Sequence, residues 1–297
     1  MSQKSVILIQ GGLGNQLFQL CALLKFSIEN GAQVVLDSNL VRGVTRKTTP
    51  RELEIQSLLN PNELQITKPT HLSKLHLCFA RYFGHLVRDT DIEWPNFKNH
   101  PGTVYLAYFQ DHNLVESVWP DLCERLSRDD AWNQVLMQPL KDRLTIHVRL
   151  GDYVSNSRAT KFHGLTNPEY FIEIAEGYRK KYPNLPIHIV SDSIELAGNL
   201  LNKINALPGV TFEDDEGPMD ALTLLATSST VAISNSSFSW WGGWIGSKKG
   251  ATVIAPRPWF AEEHLTTKLI PPGWIQKERK PVRNASRLMN EIQQSGR

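Results

Sequence analysis

The first 37 residues carry two kinds of hydrophobic pattern in succession. Val6-Ile7-Leu8-Ile9 is an unbroken apolar run, as expected of a parallel strand covered on both faces. Gly11, Gly12 and Gly14 mark a tight turn, after which residues 15–30 set Leu17, Leu20, Cys21, Leu24 and Ile28 at helical spacing. Gly31 stops that helix, and Gln33 to Asp37 reads as a second strand. The middle of the chain is less regular. There, His71 to Val87 has amphipathic helical spacing and Val104 to Phe109 reads as a strand. From about residue 143 the alternation is clean. A strand at 144–149 leads into a polar loop, and Pro168 then opens a helix that contains Phe171, Ile174, Ala175 and Tyr178. Strands at 187–190, 210–212, 230–234 and 252–255 follow, separated by helices at 194–205, 218–227 and 237–248. A last helical stretch covers residues 285–294.

Strand and helix alternating at this spacing predict an α/β protein with doubly wound parallel sheets. A chain of 297 residues is long for one core and fits two domains. The expected division is an N-terminal Rossmann-like domain over 1–140 and a C-terminal one over 141–284, facing a central cleft. The terminal segment 285–297 is expected to pack back on the first domain.

Composition narrows the partners. The chain has 32 basic and 30 acidic residues, a net charge of +2, so no broad basic field for nucleic acid is implied. A local basic pocket for an anion remains compatible. Cys21, Cys78 and Cys123 form no paired spacing, which predicts reduced thiols and no structural zinc. The N-terminus lacks the apolar stretch of a signal peptide, and no run of about 18 apolar residues exists to span a membrane. A cytoplasmic protein is expected, soluble or peripheral at the inner membrane face.

Three constellations suggest chemistry. His147-Val148-Arg149-Leu150-Gly151-Asp152 puts an imidazole, a guanidinium and a carboxylate where a strand ends, the edge at which open α/β sheets bind ligands. Arginine suits a diphosphate because its planar fork holds two oxygens and stays charged. The turn Gly11-Gly12-Leu13-Gly14-Asn15-Gln16 misses the third glycine of a dinucleotide fingerprint, which falls on Leu17. It can cradle phosphate or sugar hydroxyls at a helix start, or serve only as a tight connection. Ser234-Asn235-Ser236-Ser237-Phe238-Ser239 offers four hydroxyls and an amide before a helix, more than the one serine a cap requires. Trp240, Trp241 and Trp244 are expected to pack that helix on the sheet. Asp220 can accept two hydrogen bonds from guanine, or simply occupy a helix first turn. Glu213-Asp214-Asp215-Glu216 reads as a solvated loop and not as a metal site.

Taken together, GGLGNQLFQ at 11–19, HVRLGDY at 147–153, Ile189-Val190-Ser191-Asp192 and SNSSFSWWG at 234–242 resemble the α-1,2-fucosyltransferases of glycosyltransferase family eleven, in order and over nearly the whole chain. Tyr108-Phe109-Gln110, Phe162-His163-Gly164 and Pro256 to Phe260 add to the likeness. The resemblance implies a GT-B fold and an inverting transfer from GDP-fucose to the 2-hydroxyl of a galactose-terminated glycan, with no metal or other cofactor. It implies that Arg149 binds the diphosphate, His147 the nucleoside side and Asp220 the guanine. Asp192, Asn235, Ser236, Ser237 and Phe238 would complete the donor site, and Gly12, Gly14, Asn15 and Gln16 the cleft loop. One departure stands out: the family's usual second arginine is Leu150 here. Adjacent strand residues point to opposite faces, so a supporting arginine at 150 is dispensable, and Arg158 or Lys161 could supply charge instead.

The acceptor hydroxyl needs a proton acceptor, and Asp152 and His163 are the candidates. Asp152 alternatively pairs with Arg149 and orients it. Two other classes remain in view. An NAD(P)-dependent oxidoreductase would use the first βαβ unit and Asp37 and would turn over a nicotinamide coenzyme. A non-catalytic glycan-binding protein would bind glycan without GDP.

Overall fold

The computed structural model describes residues 4–30, 34–38, 52–65, 86–89, 92, 100, 102–213, 217–262 and 268–284, apart from the side chains of Glu29, Asn30, Gln65, Asp152 and Ser155. The protein is α/β and forms two compact units, residues 1–133 and 134–297. Each unit is built on a wholly parallel sheet, the kind of half from which a GT-B fold is made.

Unit 1 contains β1 (Ser5–Leu8), α1 (Leu13–Asn30), β2 (Val34–Asp37), β3 (Leu64–Gln65), β4 (Leu86–Arg88), β5 (Val104–Leu106) and α2 (His112–Leu126). Its strands lie in the order β3-β2-β1-β5-β4. β1 pairs in register with β2 from Ser5↔Val34 to Leu8↔Asp37, and with β5 on its other edge. The chain thus winds first to one side of β1 and then to the other, which puts a topological switch point between β1 and β5. α1 is buried through its middle, with Phe18, Gln19, Leu20, Cys21, Ala22 and Leu23 all at 0% exposure. Ile28, counted in the apolar stripe from sequence, is instead 56% exposed because it lies in the last turn, beyond the sheet's cover. Of the helix expected over 71–87, residues 71–85 fall outside the described set, and 86–88 form β4. The strand expected over 104–109 ends at Leu106, and Phe109 takes φ 58° as the chain turns toward α2.

A helix α3 (Asp130–Met137) leads into unit 2, which contains β6 (Lys141–Val148), α4 (Gly151–Ser155), α5 (Ser157–His163), β7 (Leu165–Thr166), α6 (Pro168–Lys181) and β8 (Ile187–Ser191). There follow α7 (Ile194–Leu200), α8 (Asn202–Asn205), β9 (Val210–Phe212), α9 (Pro218–Ala226), β10 (Ser228–Ala232), α10 (Ser237–Lys248), β11 (Thr252–Arg257), β12 (Ile275–Glu278) and β13 (Pro281–Val282). The main sheet runs β12-β11-β10-β6-β8-β9. From β6 the chain builds outward through β8 and β9, then crosses back to β10, so the switch point lies between β6 and β10. Two expectations change here. The polar loop after β6 is two short helices, the second capped by Asn156, whose side chain accepts from the Arg158 and Ala159 amides. The helix expected over 194–205 breaks at Leu201 into α7 and α8.

Leu144, Ile146, Val148 and Leu150 alternate with the polar residues of β6 and join Tyr170, Phe171, Ile174, Ile187 and Ile189 in one buried cluster. Trp240 and Trp244 stack at 5.1 Å, Trp241 meets Trp240 edge-on, and all three are buried. The helix that carries them, α10, packs against β10 and β11, as expected of these tryptophans. Among the described residues no helix is long and apolar enough to cross a membrane.

Candidate active site

The carboxyl ends of β6 and β10 meet at the switch point of unit 2, where open α/β sheets form their ligand crevice. His147 and Arg149 come from the first strand's end, and Ser234 to Phe238 from the loop after the second. Asn235 and Arg149 are 86 positions apart in sequence, yet parallel pairing of β6 with β10 puts their strands side by side.

Arg149 is held at its Nη1 by the Asp192 carboxylate at 2.8 Å, with both side chains 24% exposed. Asp192 also accepts the Leu150 amide at 2.8 Å, so it grips the turn after β6 twice. That grip explains Gly151, because a Cβ there would lie 2.2 Å from the Asp192 carboxylate. Asp192, expected among donor contacts, thus orients Arg149 from within the protein. Leu150 faces the core at 2% exposure, so the position of the missing second arginine points away from Arg149's side.

His147 is 3% exposed, and its Nδ1 bonds the Ser234 hydroxyl at 2.9 Å, tying β6 to the loop after β10. Burial pushes its pKa down to about 4, and the Arg149 charge adds to the effect while Asp192 opposes it. A neutral ring packed 5.7 Å from Phe238 is therefore a strut under the site.

Ser236 immediately precedes α10 in extended conformation, φ −126° and ψ 130°, but its side chain makes no capping hydrogen bond. Plain N-capping by this serine is therefore not what the structure shows. The loop is instead fixed by Asn235. Its Oδ1 accepts from the Thr166 hydroxyl at 3.1 Å, and its Nδ2 donates to the carbonyls of His163 and Gly164 at 3.0 and 3.2 Å. At 2% exposure Asn235 uses both ends of its side-chain amide inside the protein. Asp220 stands exposed in the first turn of α9, at the same carboxyl edge of the sheet.

His163 ends α5. Its ring stacks on Tyr153 at 5.0 Å and 6°, with Phe162 and Phe260 packed against it. Burial is the main cause that lowers its pKa to about 4, with Arg279 and Arg149 contributing. The helical residue Asp152 lies three positions after Arg149 in sequence, and its side chain is outside the described set. Sequence reasoning missed Arg279 altogether. This guanidinium is 5% exposed and donates to the carbonyls of Pro258, His163, Gly164 and Trp259. No local pattern marks it, since its acceptors are backbone atoms of two distant loops.

The glycine turn of unit 1 looks different. The α1 start is already met by an anion of the protein, because Glu54 accepts the Leu13 amide at 2.9 Å. Gln16 donates to the Gly11 and Glu52 carbonyls and accepts the Glu54 amide, and Gln110 donates to Asn15 at 2.7 Å. Gln16 is fully buried. Its side chain therefore braces the loop. Among the described residues no group of three or more His, Cys, Asp and Glu side chains is placed to hold a metal ion.

The family model described as glycosyl transferase family 11 matches residues 2–278. An alpha-1,2-colitosyltransferase of Escherichia coli is 26% identical over 294 residues, spanning 91% of this chain and 98% of that protein. The O-antigen biosynthesis glycosyltransferase WbnK of Escherichia coli is 25% identical over 300 residues, spanning 90% of this chain and 98% of its own. The solved E. coli heptosyltransferase WaaC with ADP-2-deoxy-2-fluoro heptose is 10% identical at a TM-score of 0.46, covering 99% of this chain and 100% of that one.

Proposed function

Because this chain belongs to glycosyl transferase family 11, we propose that it moves L-fucose from GDP-fucose to the 2-hydroxyl of a galactose residue on a glycan, with inversion. The observation that carries the donor side is the convergence of Arg149 and the α10 start at one switch point. A guanidinium and oriented backbone N–H groups are suited to a leaving diphosphate, and such preorganised charge stabilisation is usually the largest catalytic contribution. Asp192 holds the Arg149 fork before any donor arrives. Asp220 is assigned to the guanine on the strength of the family resemblance. The names of the two relatives support a 1,2-linkage and a glycan acceptor.

The acceptor proton is assigned to Asp152. With Asp192 already orienting Arg149, the orienting role does not require Asp152. The transfer is proposed to need no metal, the leaving charge being met by Arg149 and α10.

A second donor has specific support, since one relative is named a colitosyltransferase. Colitose lacks the 3-hydroxyl of fucose, so the two donors differ by one polar group. The deciding experiment offers GDP-fucose and GDP-colitose separately with a β-galactoside, with and without EDTA, and reads the product linkage by NMR. Fucose α-linked to O2 in both conditions is the expected result. Transfer from GDP-colitose alone would replace the donor, and loss in EDTA reversed by a divalent ion would overturn the metal-free mechanism.

A further inference from the structure

The cage around His163 says more about this residue than its position at the end of α5. The carbonyls of His163 and Gly164 are each gripped twice. Asn235 Nδ2 donates to both, at 3.0 and 3.2 Å, and Arg279 donates to both through Nη2 and Nη1, at 2.8 and 2.9 Å. Gly164 takes φ +66° and leaves no room for a side chain, since a Cβ would meet Pro281 at 2.8 Å and Ala261 at 3.0 Å. The ring lies flat on Tyr153, whose hydroxyl returns to the Asn235 carbonyl at 3.0 Å. Backbone and ring are both held from the α10 start, the element proposed to meet the donor diphosphate.

Within this cage His163 Nδ1 is buried and has no hydrogen-bond partner among the described residues. A histidine that works as a base ordinarily has an acceptor for Nδ1–H, which fixes the tautomer and stabilises the imidazolium. No such acceptor is present among the described residues. Nδ1 is the ring nitrogen nearer the backbone, and the Arg279 guanidinium donates to the carbonyl of the same residue. A proton on Nδ1 would be a buried donor left unmade beside a cation, whereas a proton on Nε2 leaves only a lone pair there. Among the described residues the charged groups acting on the ring, Arg279 and Arg149, are both cations, and both oppose the imidazolium.

We infer that His163 is held as the neutral Nε2–H tautomer and serves as a hydrogen-bond donor to an oxygen of the nucleotide-sugar donor, not as the base that deprotonates the acceptor. Arg279 and Asn235 are the positioning residues that enforce this state. The choice of ligand rests on the donor reading above, while the tautomer does not.

Nitrogen-15 NMR of the full chain, labelled at histidine, reads the tautomer directly. The His163 signal is assigned by comparison with His163→Gln, or by its ring contacts with Tyr153 if that variant does not fold. A neutral Nε2–H pattern from pH 5 to 8 is expected, and Nδ1–H or an imidazolium at pH 7 would overturn the inference. In turnover, glutamine also donates through its side-chain nitrogen, so His163→Gln should stay within about tenfold of wild type while His163→Ala loses more. A general base would lose about 10²–10⁴ on the same change, and a loss of that size with GDP-fucose affinity intact would likewise refute the assignment. If the wild type fails to bind GDP, the donor reading falls, and the NMR result on the unliganded protein still decides the tautomer.

Discussion

The two sheets of this protein pose the same local problem and solve it in opposite ways. In each, a parallel strand at a topological switch point runs through a turn into a buried helix, α1 in unit 1 and α10 in unit 2. A helix start leaves N–H groups without intrahelical partners and carries a partial positive charge. In unit 1 the Glu54 carboxylate satisfies the Leu13 amide, and Gln16 and Gln110 tie down the rest of the turn. In unit 2 the Ser236 hydroxyl makes no cap, and Arg149 stands at the neighbouring strand end with its fork set by Asp192. The glycine turn, although it resembles a nucleotide loop more closely, is neutralised from within. The serine turn, where the Ser236 side chain makes no capping hydrogen bond, is the one proposed above to meet the donor diphosphate.

The strongest way to test this contrast is to remove the guanidinium. Arg149→Ala should cost about 3–4 kcal/mol of transition-state stabilisation, roughly 10²–10³ in kcat/KM, with the thermal melt preserved. Arg149→Lys should recover little because it lacks the fork. Near-normal turnover in the lysine variant would show that the diphosphate is held elsewhere.

A subtler change acts on the α10 start alone. Ser237→Pro deletes one helix-start N–H and one hydroxyl, at the first helical position, where proline is tolerated. The extended Ser236 that precedes it is compatible with a following proline. GDP affinity measured by titration should fall about tenfold, the loss of one hydrogen bond to a charged group. Unchanged affinity in a folded variant would remove α10 from the donor site.

The matching change in unit 1 should behave oppositely. Glu54→Ala removes the carboxylate that meets Leu13 and should cost about 0.5–2 kcal/mol of stability, as lost helix caps do. GDP affinity should not move. A tighter affinity for GDP after Glu54→Ala would mean that the α1 start is a phosphate site held shut by this side chain.

The remaining expected effect is on acid stability. His147 and His163 both have folded pKa values near 4, against about 6.5 in an unfolded chain. Between these values the unfolded state binds more protons, so stability is retained above about pH 6.5 and falls as pH drops toward 4. His163→Gln should flatten the fall of the melting temperature across this window. An identical slope in both proteins would mean that His163 titrates normally. Catalysis, by the same shift, should show no acid limb near 6.5 from this residue.

Local pattern was enough to read most of the architecture. The continuous run at Val6–Ile9, the stripe through Leu17 and Leu24, and the regular alternation after residue 143 reflect interactions within a few residues, which a single sequence displays. The opposite facing of Arg149 and Leu150 follows from strand geometry in the same way. The two helices after β6 were hidden because α4 is only five residues long and α5 only seven, too short for a period to show.

What residue type and spacing settled, then, was which segments form elements and which polar side chains gather at strand ends. What they left undecided was how each polar group is used. Asn235 could bind a ligand or a loop, and Thr166, 69 positions away, together with the His163 carbonyl, 72 away, makes it a brace. Asp192 became the orienting partner of Arg149 only because β8 pairs beside β6. Glu54 and Arg279 carry no motif and take their roles from atoms 41 and 116 positions distant. A buried donor or acceptor must be satisfied by whatever lies within about 3 Å, and that neighbourhood is created by chain crossings that no local window contains.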